Sequence, residues 1–166
     1  DPAAPSSPVC RRLFAPPRRP PPHCTVRARR GDSPAILHAR PGPGSARTLT
    51  YAELQDQVAR FGGALRALGV DKGDRVVIYM PMVPEAAIAM LACARIGAVH
   101  SVVFGGFAPG ELAARIEDAT PKVVVIASCG IEPKRVVPYK PMLDAAIERS
   151  THKPDHCGVL QREQAR

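Results

Sequence analysis

The chain has 166 residues, 45% of them hydrophobic, which is enough apolar material for one domain core of ordinary size but not for two. Its net charge of +8 is concentrated near the N-terminus: residues 1–50 hold nine Lys and Arg against two acids, whereas residues 51–166 hold fourteen against thirteen. A nearly neutral remainder, no Trp and 4% aromatic residues disfavour a nucleic-acid-binding groove. Pro, Gly or a charge interrupts every apolar run before it reaches the length of a membrane span.

Residues 1–33 are dense in Pro and Arg and hold no acid between Asp1 and Asp32. We expect this segment to be a disordered leader outside the folded domain. An Arg-rich, acid-poor leader also fits an import sequence for the mitochondrial matrix, although its prolines interrupt any amphipathic helix. Two interpretations of this segment therefore stay open. It is either a mitochondrial import signal or a plain disordered tail on a cytoplasmic protein. A chain that begins with Asp rather than Met is also consistent with an incomplete sequence.

The folded part is predicted to begin with a β-hairpin and a helix. Between Pro34 and Tyr51, two short apolar runs flank the turn sequence PGPGS, a pattern typical of a hairpin. Thr50 and Glu53 form a capping box, which predicts that a helix starts at Tyr51. Apolar residues then recur at spacings of four and three as far as Leu68, so the helix has one apolar face.

The stretch from Asp74 to Phe107 organises the rest of the chain. Arg75–Met80 is a β-branched apolar run, Glu85–Ile96 is rich in Ala, Met and Leu, and Val99–Phe104 is apolar again. These runs predict a strand, a helix and a second strand in a right-handed crossover. Because both strands are apolar on both faces, the sheet should be parallel and covered on each side.

Further elements continue this alternation, with a helix at Pro109–Asp118, a strand at Lys122–Ala127 and a helix at Lys140–Arg149. The predicted fold class is therefore α/β, a partial doubly wound and mainly parallel sheet with flanking helices. In such sheets ligands bind at the carboxyl ends of strands, which here include Met80–Pro84 and Phe104–Pro109.

Two glycine-containing segments after strands are candidates for ligand binding. The sequence FGGF, which ends at Phe107, permits positive φ or close approach of backbone or ligand, but alone it is a weak signal. The segment Ser128–Pro138 is predicted to be a loop in which Gly130 provides backbone freedom. It also carries Lys134 and Arg135, a basic pair that either binds phosphate or is simply solvated.

Several kinds of site find no support in the sequence. There is no GxGxxG fingerprint and no P-loop, which disfavours an ordinary Rossmann-type dinucleotide domain. No catalytic residue and no metal ligand is assigned, since no triad pattern is present and His100, inside a strand, is interpreted as a satisfied core residue. Five cysteines without a CxxC pair indicate neither a metal site nor a disulfide framework, and Cys93 is interpreted as a core residue. They are Cys10, Cys24, Cys93, Cys129 and Cys157.

From about Gly31 to Asp155 the chain resembles a known family. The runs that carry the resemblance are TYAEL, GVDKGDRVVIYMPMVPEAAIAMLACARIGAVHSVVFGGF, ELAARIEDATPKVVVIAS and GIEPKR. They look like the N-terminal portion of the acetyl-CoA and propionyl-CoA synthetases of the adenylate-forming superfamily. ACARIGAVHSVVFGGF, together with GIEPKR and HKPD, is most similar to the propionyl-preferring type.

The resemblance implies a fatty-acid-metabolising ligase that activates acetate or propionate with ATP, accompanied by Mg²⁺, and passes the acyl group to coenzyme A. Its implied partners are these small molecules. It also implies CoA binding through Glu132, Pro133, Lys134 and Arg135. Family members typically have Gly before the final Arg, whereas this chain has Lys134, so Arg135 carries over more securely than its neighbour.

The resemblance also implies motifs that this sequence does not contain: a Ser/Thr/Gly-rich loop ending in Pro-Lys-Gly, an acidic ribose-binding residue and a C-terminal catalytic lysine. We therefore expect a leader at 1–33, a partial AMP-binding domain at 34–155 and a divergent tail at 156–166. Such an N-terminal fragment should be inactive alone and should leave an apolar strand edge uncovered. The alternative is a non-catalytic α/β module that acts by binding CoA or protein.

Overall fold

The computed structural model describes residues 30–39, 46–106, 108–132 and 135–162. The described strands are β1 (Pro34–His38), β2 (Arg47–Thr50), β3 (Arg75–Met80), β4 (Val99–Phe104), β5 (Val123–Ala127), β6 (Cys129–Glu132), β7 (Arg135–Pro138) and β8 (His156–Leu160). The described helices are α1 (Tyr51–Ala67), α2 (Pro84–Ile96), α3 (Pro109–Ala119) and α4 (Tyr139–Arg149). Most of the predicted leader, residues 1–29, lies outside the described residues.

The centre of the fold is a four-stranded parallel sheet in the order β4-β3-β5-β8. The chain leaves β3 towards β4 and then crosses back to place β5 and β8 on the other side. Helix α1 packs against α2, and α3 packs against α4. Because right-handed crossovers that run in opposite directions lie on opposite faces of a sheet, the two helix pairs cover opposite faces. The predicted α/β class, with a mainly parallel sheet and flanking helices, is confirmed.

The core lies along the two inner strands. In β3 every residue after Arg75 is buried, and all five residues of β5 are buried. These strands pair in register, with Val76 opposite Val123 and Tyr79 opposite Ile126. Side chains on both faces are apolar because helices cover both faces, which is why the sequence shows continuous rather than alternating hydrophobicity here.

The N-terminal elements also follow the sequence prediction. Strands β1 and β2 form an antiparallel hairpin, whose turn sequence lies outside the described residues. The capping box is present: the Glu53 N–H donates to Thr50 Oγ1 at 3.2 Å, and the Thr50 N–H donates to Glu53 Oε2 at 2.8 Å. This backbone hydrogen bond lowers the pKa of the Glu53 carboxyl. None of the described helices is both long and apolar enough to cross a membrane.

Strand β4 is the outer strand on its side of the described sheet, and it leaves apolar side chains in solvent. Val102 is 51% exposed and Phe104 is 62% exposed. The expected uncovered apolar strand edge is thus found at β4. The interpretation of His100 as a core residue is wrong, since it is exposed on the same face of this strand as Val102 and Phe104.

No strand was predicted within residues 156–166, but His156–Leu160 forms β8 and pairs with β5 in parallel register. The segment HCGVL contains only five residues and lacks a clear alternation. Its pairing therefore depends on the free edge of β5, a tertiary feature that local sequence does not show. Both inner strands consequently have neighbours on each side.

Candidate functional site

The strand order identifies one end of the sheet as the candidate site. Connections diverge between β3 and β5, because the chain leaves β3 towards β4 and leaves β5 towards β8. Ligands of doubly wound sheets bind at the carboxyl ends of strands beside such a switch point. The sequence pattern indicated the ends of β3, β4 and β5, and the strand order adds the switch point between β3 and β5. The segment from Ser128 to Pro138 comes directly after β5.

This segment is an antiparallel β-hairpin, so the prediction of a loop is wrong. Cys129 lies opposite Pro138 and Glu132 lies opposite Arg135 in its register. The β-branched residues Ile131, Val136 and Val137 favour strands. Each strand has only four residues, so their alternation was too short to be recognised in the sequence.

Hydrogen bonds hold the base of the hairpin on the sheet. The Ser128 N–H donates to the Leu160 carbonyl at 2.8 Å, and the Tyr139 N–H donates to the Ser128 carbonyl at 3.0 Å. Arg162 contributes twice: its backbone N–H donates to Ser128 Oγ at 3.0 Å, and its Nη1 donates to the Cys129 carbonyl at 3.0 Å. Arg162, two residues beyond β8, therefore helps to fix the start of the hairpin.

Two of the four predicted CoA-binding residues, Glu132 and Arg135, lie at the described end of this hairpin. Arg135 begins β7 and is exposed, and its backbone pairs with that of Glu132. Pro133 and Lys134 lie outside the described residues, as does the side chain of Glu132. The structure thus places an exposed guanidinium-bearing residue on a hairpin beyond the carboxyl end of β5. Binding of CoA by these four residues stays a prediction.

Below the tip, two tyrosines fill the space between the hairpin and the sheet. Tyr139, the first residue of α4, is 3% exposed, and Tyr79 in β3 is fully buried. Their ring centroids are 4.9 Å apart with the planes tilted by 39°. Tyr79 donates its hydroxyl to Met142 Sδ at 3.4 Å, and burial raises the pKa of that hydroxyl. Neither tyrosine was recognised from the sequence; the only signal was that the chain has three Tyr in all.

The glycines of the site have different roles from one another. Gly106 has a φ of +132°, the backbone freedom that FGGF suggested. Gly105 and Gly130 do not have positive φ; instead each faces the Tyr139 ring. The attribution of Gly130 to backbone freedom is therefore wrong, because its role is close approach to a side chain.

Neither the buried Cys93 thiol nor a metal-binding cluster indicates a second site among the described residues. Cys93 is fully buried, which confirms its interpretation as a core residue, and burial raises the pKa of its thiol to about 11. A thiol with such a pKa is protonated at neutral pH and is a poor nucleophile. Within the described ranges, no three His, Cys, Asp or Glu residues form a group that could hold a metal ion.

Comparison with known families defines the class of the protein. The family model for AMP-binding enzymes matches residues 25–165, which include the whole described fold. The chain belongs to this family. The resemblance recognised in the sequence to adenylate-forming enzymes is thereby confirmed.

Individual relatives place it among the short-chain members. The chain is 56% identical over 128 residues to the mitochondrial acyl-CoA synthetase short-chain family member B of Dictyostelium discoideum. This alignment covers 77% of this chain and 19% of the relative. The chain is 52% identical over 132 residues to the mitochondrial acyl-CoA synthetase short-chain family member 3 of Rattus norvegicus, covering 80% and 19%. An uncharacterised protein of Pseudomonas aeruginosa is 62% identical over 136 residues, covering 82% and 22%. The chain therefore spans about a fifth of the length of these relatives.

Proposed function

We propose that this chain is the N-terminal part of an AMP-forming ligase for short-chain carboxylates, with acetate and propionate as the substrate class. In the proposed reaction a carboxylate oxygen attacks the α-phosphorus of ATP, supplied with Mg²⁺, and pyrophosphate leaves. The thiol sulfur of CoA then attacks the acyl carbonyl carbon of the adenylate, and AMP leaves. The family match and the short-chain relatives support this proposal.

The observation that carries the proposal is the hairpin at the carboxyl end of β5. It presents Arg135 in solvent, beyond a strand end beside the switch point of the sheet. A guanidinium is a planar fork that can make two parallel hydrogen bonds to a phosphate. We infer that Arg135 binds a phosphate of CoA together with Glu132, Pro133 and Lys134, the three residues that precede it in the sequence.

We further infer that residues 1–166 do not complete this reaction by themselves. The sequence lacks the Ser/Thr/Gly-rich loop with Pro-Lys-Gly and the catalytic lysine that the resemblance implies for adenylation. Pyrophosphate exchange assayed with this chain alone should give no signal, and exchange with the full-length protein should depend on added acetate or propionate. Exchange by the 166-residue chain would contradict the inference.

The role of Arg135 can be separated from folding in the full-length protein. Arg135→Ala should weaken CoA binding by roughly 1.5 to 3 kcal/mol, the range for a hydrogen bond to a charged group. Arg135→Lys should recover only part of this loss, because an ammonium lacks the planar fork. Formation of the acyl-adenylate, measured by pyrophosphate exchange without CoA, should be unchanged.

A matched control is Arg95→Ala. Arg95 is also exposed but lies in the last turn of α2. That end of α2 lies near the amino ends of the strands, because the crossover helix runs antiparallel to them. The candidate site lies at their carboxyl ends. If Arg135→Ala reduced both half-reactions equally, or had no more effect than Arg95→Ala, Arg135 would be a solvated or structural residue.

For the leader we propose import into the mitochondrial matrix. Two relatives are named as mitochondrial, whereas another comes from a bacterium, so family membership alone does not determine the location. Residues 1–33 fused to a fluorescent reporter should direct it to mitochondria. Replacement of Arg11, Arg12, Arg18 and Arg19 by Glu should abolish uptake, because import signals are basic. A wild-type fusion that stays in the cytosol would disprove the proposal.

A further inference from the structure

We propose that Tyr139 is a positioning residue that seats the β6–β7 hairpin on the sheet and thereby holds Arg135 where CoA binds. The inference rests on the proposed function of the hairpin. Its basis is a contact between Tyr139 and two glycines. Gly105 follows the end of β4, and Gly130 lies near the start of β6.

The contact leaves no room for a larger residue at either glycine. A Cβ atom on Gly130 would lie 2.6 Å from Tyr139 Cζ and closer still to its Oη. A Cβ atom on Gly105 would lie 2.5 Å from the same Oη and 2.9 Å from Cζ. Neither glycine has positive φ, so the backbone conformation alone would accept alanine. Glycine is needed at both positions because the tyrosine approaches so closely.

Through these contacts Tyr139 connects three strands, namely β3, β4 and β6. Gly105 directly follows β4, Gly130 is the second residue of β6, and the Tyr139 ring lies 4.9 Å from that of Tyr79 near the end of β3. The Tyr139 N–H also donates to the Ser128 carbonyl at the base of the hairpin. The ring therefore lies between the hairpin on one side and the ends of strands β3 and β4 on the other.

The position of Arg135 depends on this packing through the register of the hairpin. Gly130 pairs with Val137, and Glu132, two residues further along β6, pairs with Arg135. A displacement of β6 at Gly130 is passed to the tip because the two strands are joined by hydrogen bonds. A shift of roughly 1 Å in a binding group can cost on the order of a hundredfold in function.

The test is a double-mutant cycle in the full-length protein. Gly130→Ala should weaken the apparent affinity for CoA by roughly 10- to 100-fold, with acyl-adenylate formation retained. Tyr139→Ala should remove the clash, so the double variant should bind CoA more tightly than Gly130→Ala alone. Such a rescue is a coupling between contacting residues. Retained acyl-adenylate formation separates it from a general loss of stability, which would lower both half-reactions together. Gly63→Ala is the matched control, since a Cβ atom there meets nothing within 4 Å.

The outcomes distinguish this inference from the proposed function. If Arg135→Ala does not weaken CoA binding, the proposed role of the hairpin fails first. If Arg135→Ala weakens it but Gly130→Ala leaves it unchanged, or the double variant shows no rescue, the positioning role of Tyr139 is wrong. If Gly130→Ala does not fold, Tyr139→Leu is the deciding variant. A loss of activity confined to the CoA step supports the positioning role. No loss of activity, or an equal loss in both half-reactions, overturns it.

Discussion

At the scale of single residues, glycines occur in this chain for distinct physical reasons. Gly97 ends α2 in the left-handed region with a φ of 79°, and its N–H bonds to the Ala94 carbonyl. Other residues reach this conformation at a cost of roughly 1–2 kcal/mol. Gly63, in the middle of α1, has helical backbone and open space where a side chain would be. The sequence alone does not distinguish these two reasons for a glycine.

These two positions predict opposite effects of the same substitution. Gly97→Ala should lower the free energy of unfolding by about 1 kcal/mol or more, because positive φ is strained for alanine and its Cβ would lie 2.9 Å from Lys72 Cγ. Gly63→Ala should raise it by about 0.4–1 kcal/mol, because alanine restricts the unfolded chain. Urea denaturation of each variant measures both changes. Stabilisation by Gly97→Ala would contradict the assigned backbone conformation.

At the scale of elements, the turn from α4 to β8 shows how a sequence signature acts structurally. Thr151 Oγ1 donates to Glu117 Oε2 at 2.9 Å, and the Thr151 N–H donates to the same carboxylate. His152 Nε2 lies 2.8 Å from the Pro121 carbonyl, and Lys153 Nζ donates to the Ser150 carbonyl at 2.6 Å beyond the end of α4. Thr151 and the residues HKPD, recognised only by resemblance, thus attach the turn between α4 and β8 to the end of α3.

This turn predicts a dependence of stability on pH. The hydrogen bonds from the Thr151 side chain and backbone lower the pKa of the Glu117 carboxyl from its ordinary value of 4.5. A lowered folded-state pKa means that the stabilisation is present above the unfolded-state value and is lost as the pH falls through the folded-state value. Glu117→Gln should therefore reduce the thermal midpoint at pH 7, and its difference from wild type should shrink in acid.

Thermal unfolding at pH 7, 5, 4 and 3 would measure this effect, with Glu148→Gln on the exposed surface of α4 as the matched control. A difference between Glu117→Gln and wild type that stays constant over this range would show that the carboxylate does not contribute through its charge.

At the scale of the whole molecule, the sheet is covered on its faces but leaves the outer face of β4 in solvent. Val102 and Phe104 lie on the exposed face of a strand that has a neighbour on one side only among the described strands. Unpaired backbone groups next to exposed apolar side chains promote pairing with another chain. The outer face of β4 is thus a surface prone to association.

We therefore expect the 166-residue chain to self-associate when expressed alone. Val102→Lys should shift sedimentation towards monomer, because a charged side chain on an edge strand opposes pairing. Leu37→Lys is the control: Leu37 is 77% exposed but lies in the β1–β2 hairpin, away from the central sheet. A sharp, reversible unfolding transition of a monomeric wild-type chain would disprove this prediction.

The sequence by itself determined the elements of the central α/β unit other than β8. The helix at Tyr51 and the strands at Arg75 and Val99 begin where predicted, and the strand at Val123 begins one residue later than predicted. Periodicity, a capping box and β-branched runs are local signals, and the packing of the sheet agrees with them. The family and the GIEPKR segment were likewise recognisable without coordinates.

Only the tertiary structure decided what depends on contacts between distant residues. The strand order, the pairing of β8 with β5, the exposure of His100 and the hairpin after β5 were not predicted. Nor was the contact of Tyr139 with Gly105, 34 residues before it along the chain. The physical reason is the same in each case: short strands and close-packed glycines carry little local preference, so their neighbours across the fold determine their conformation.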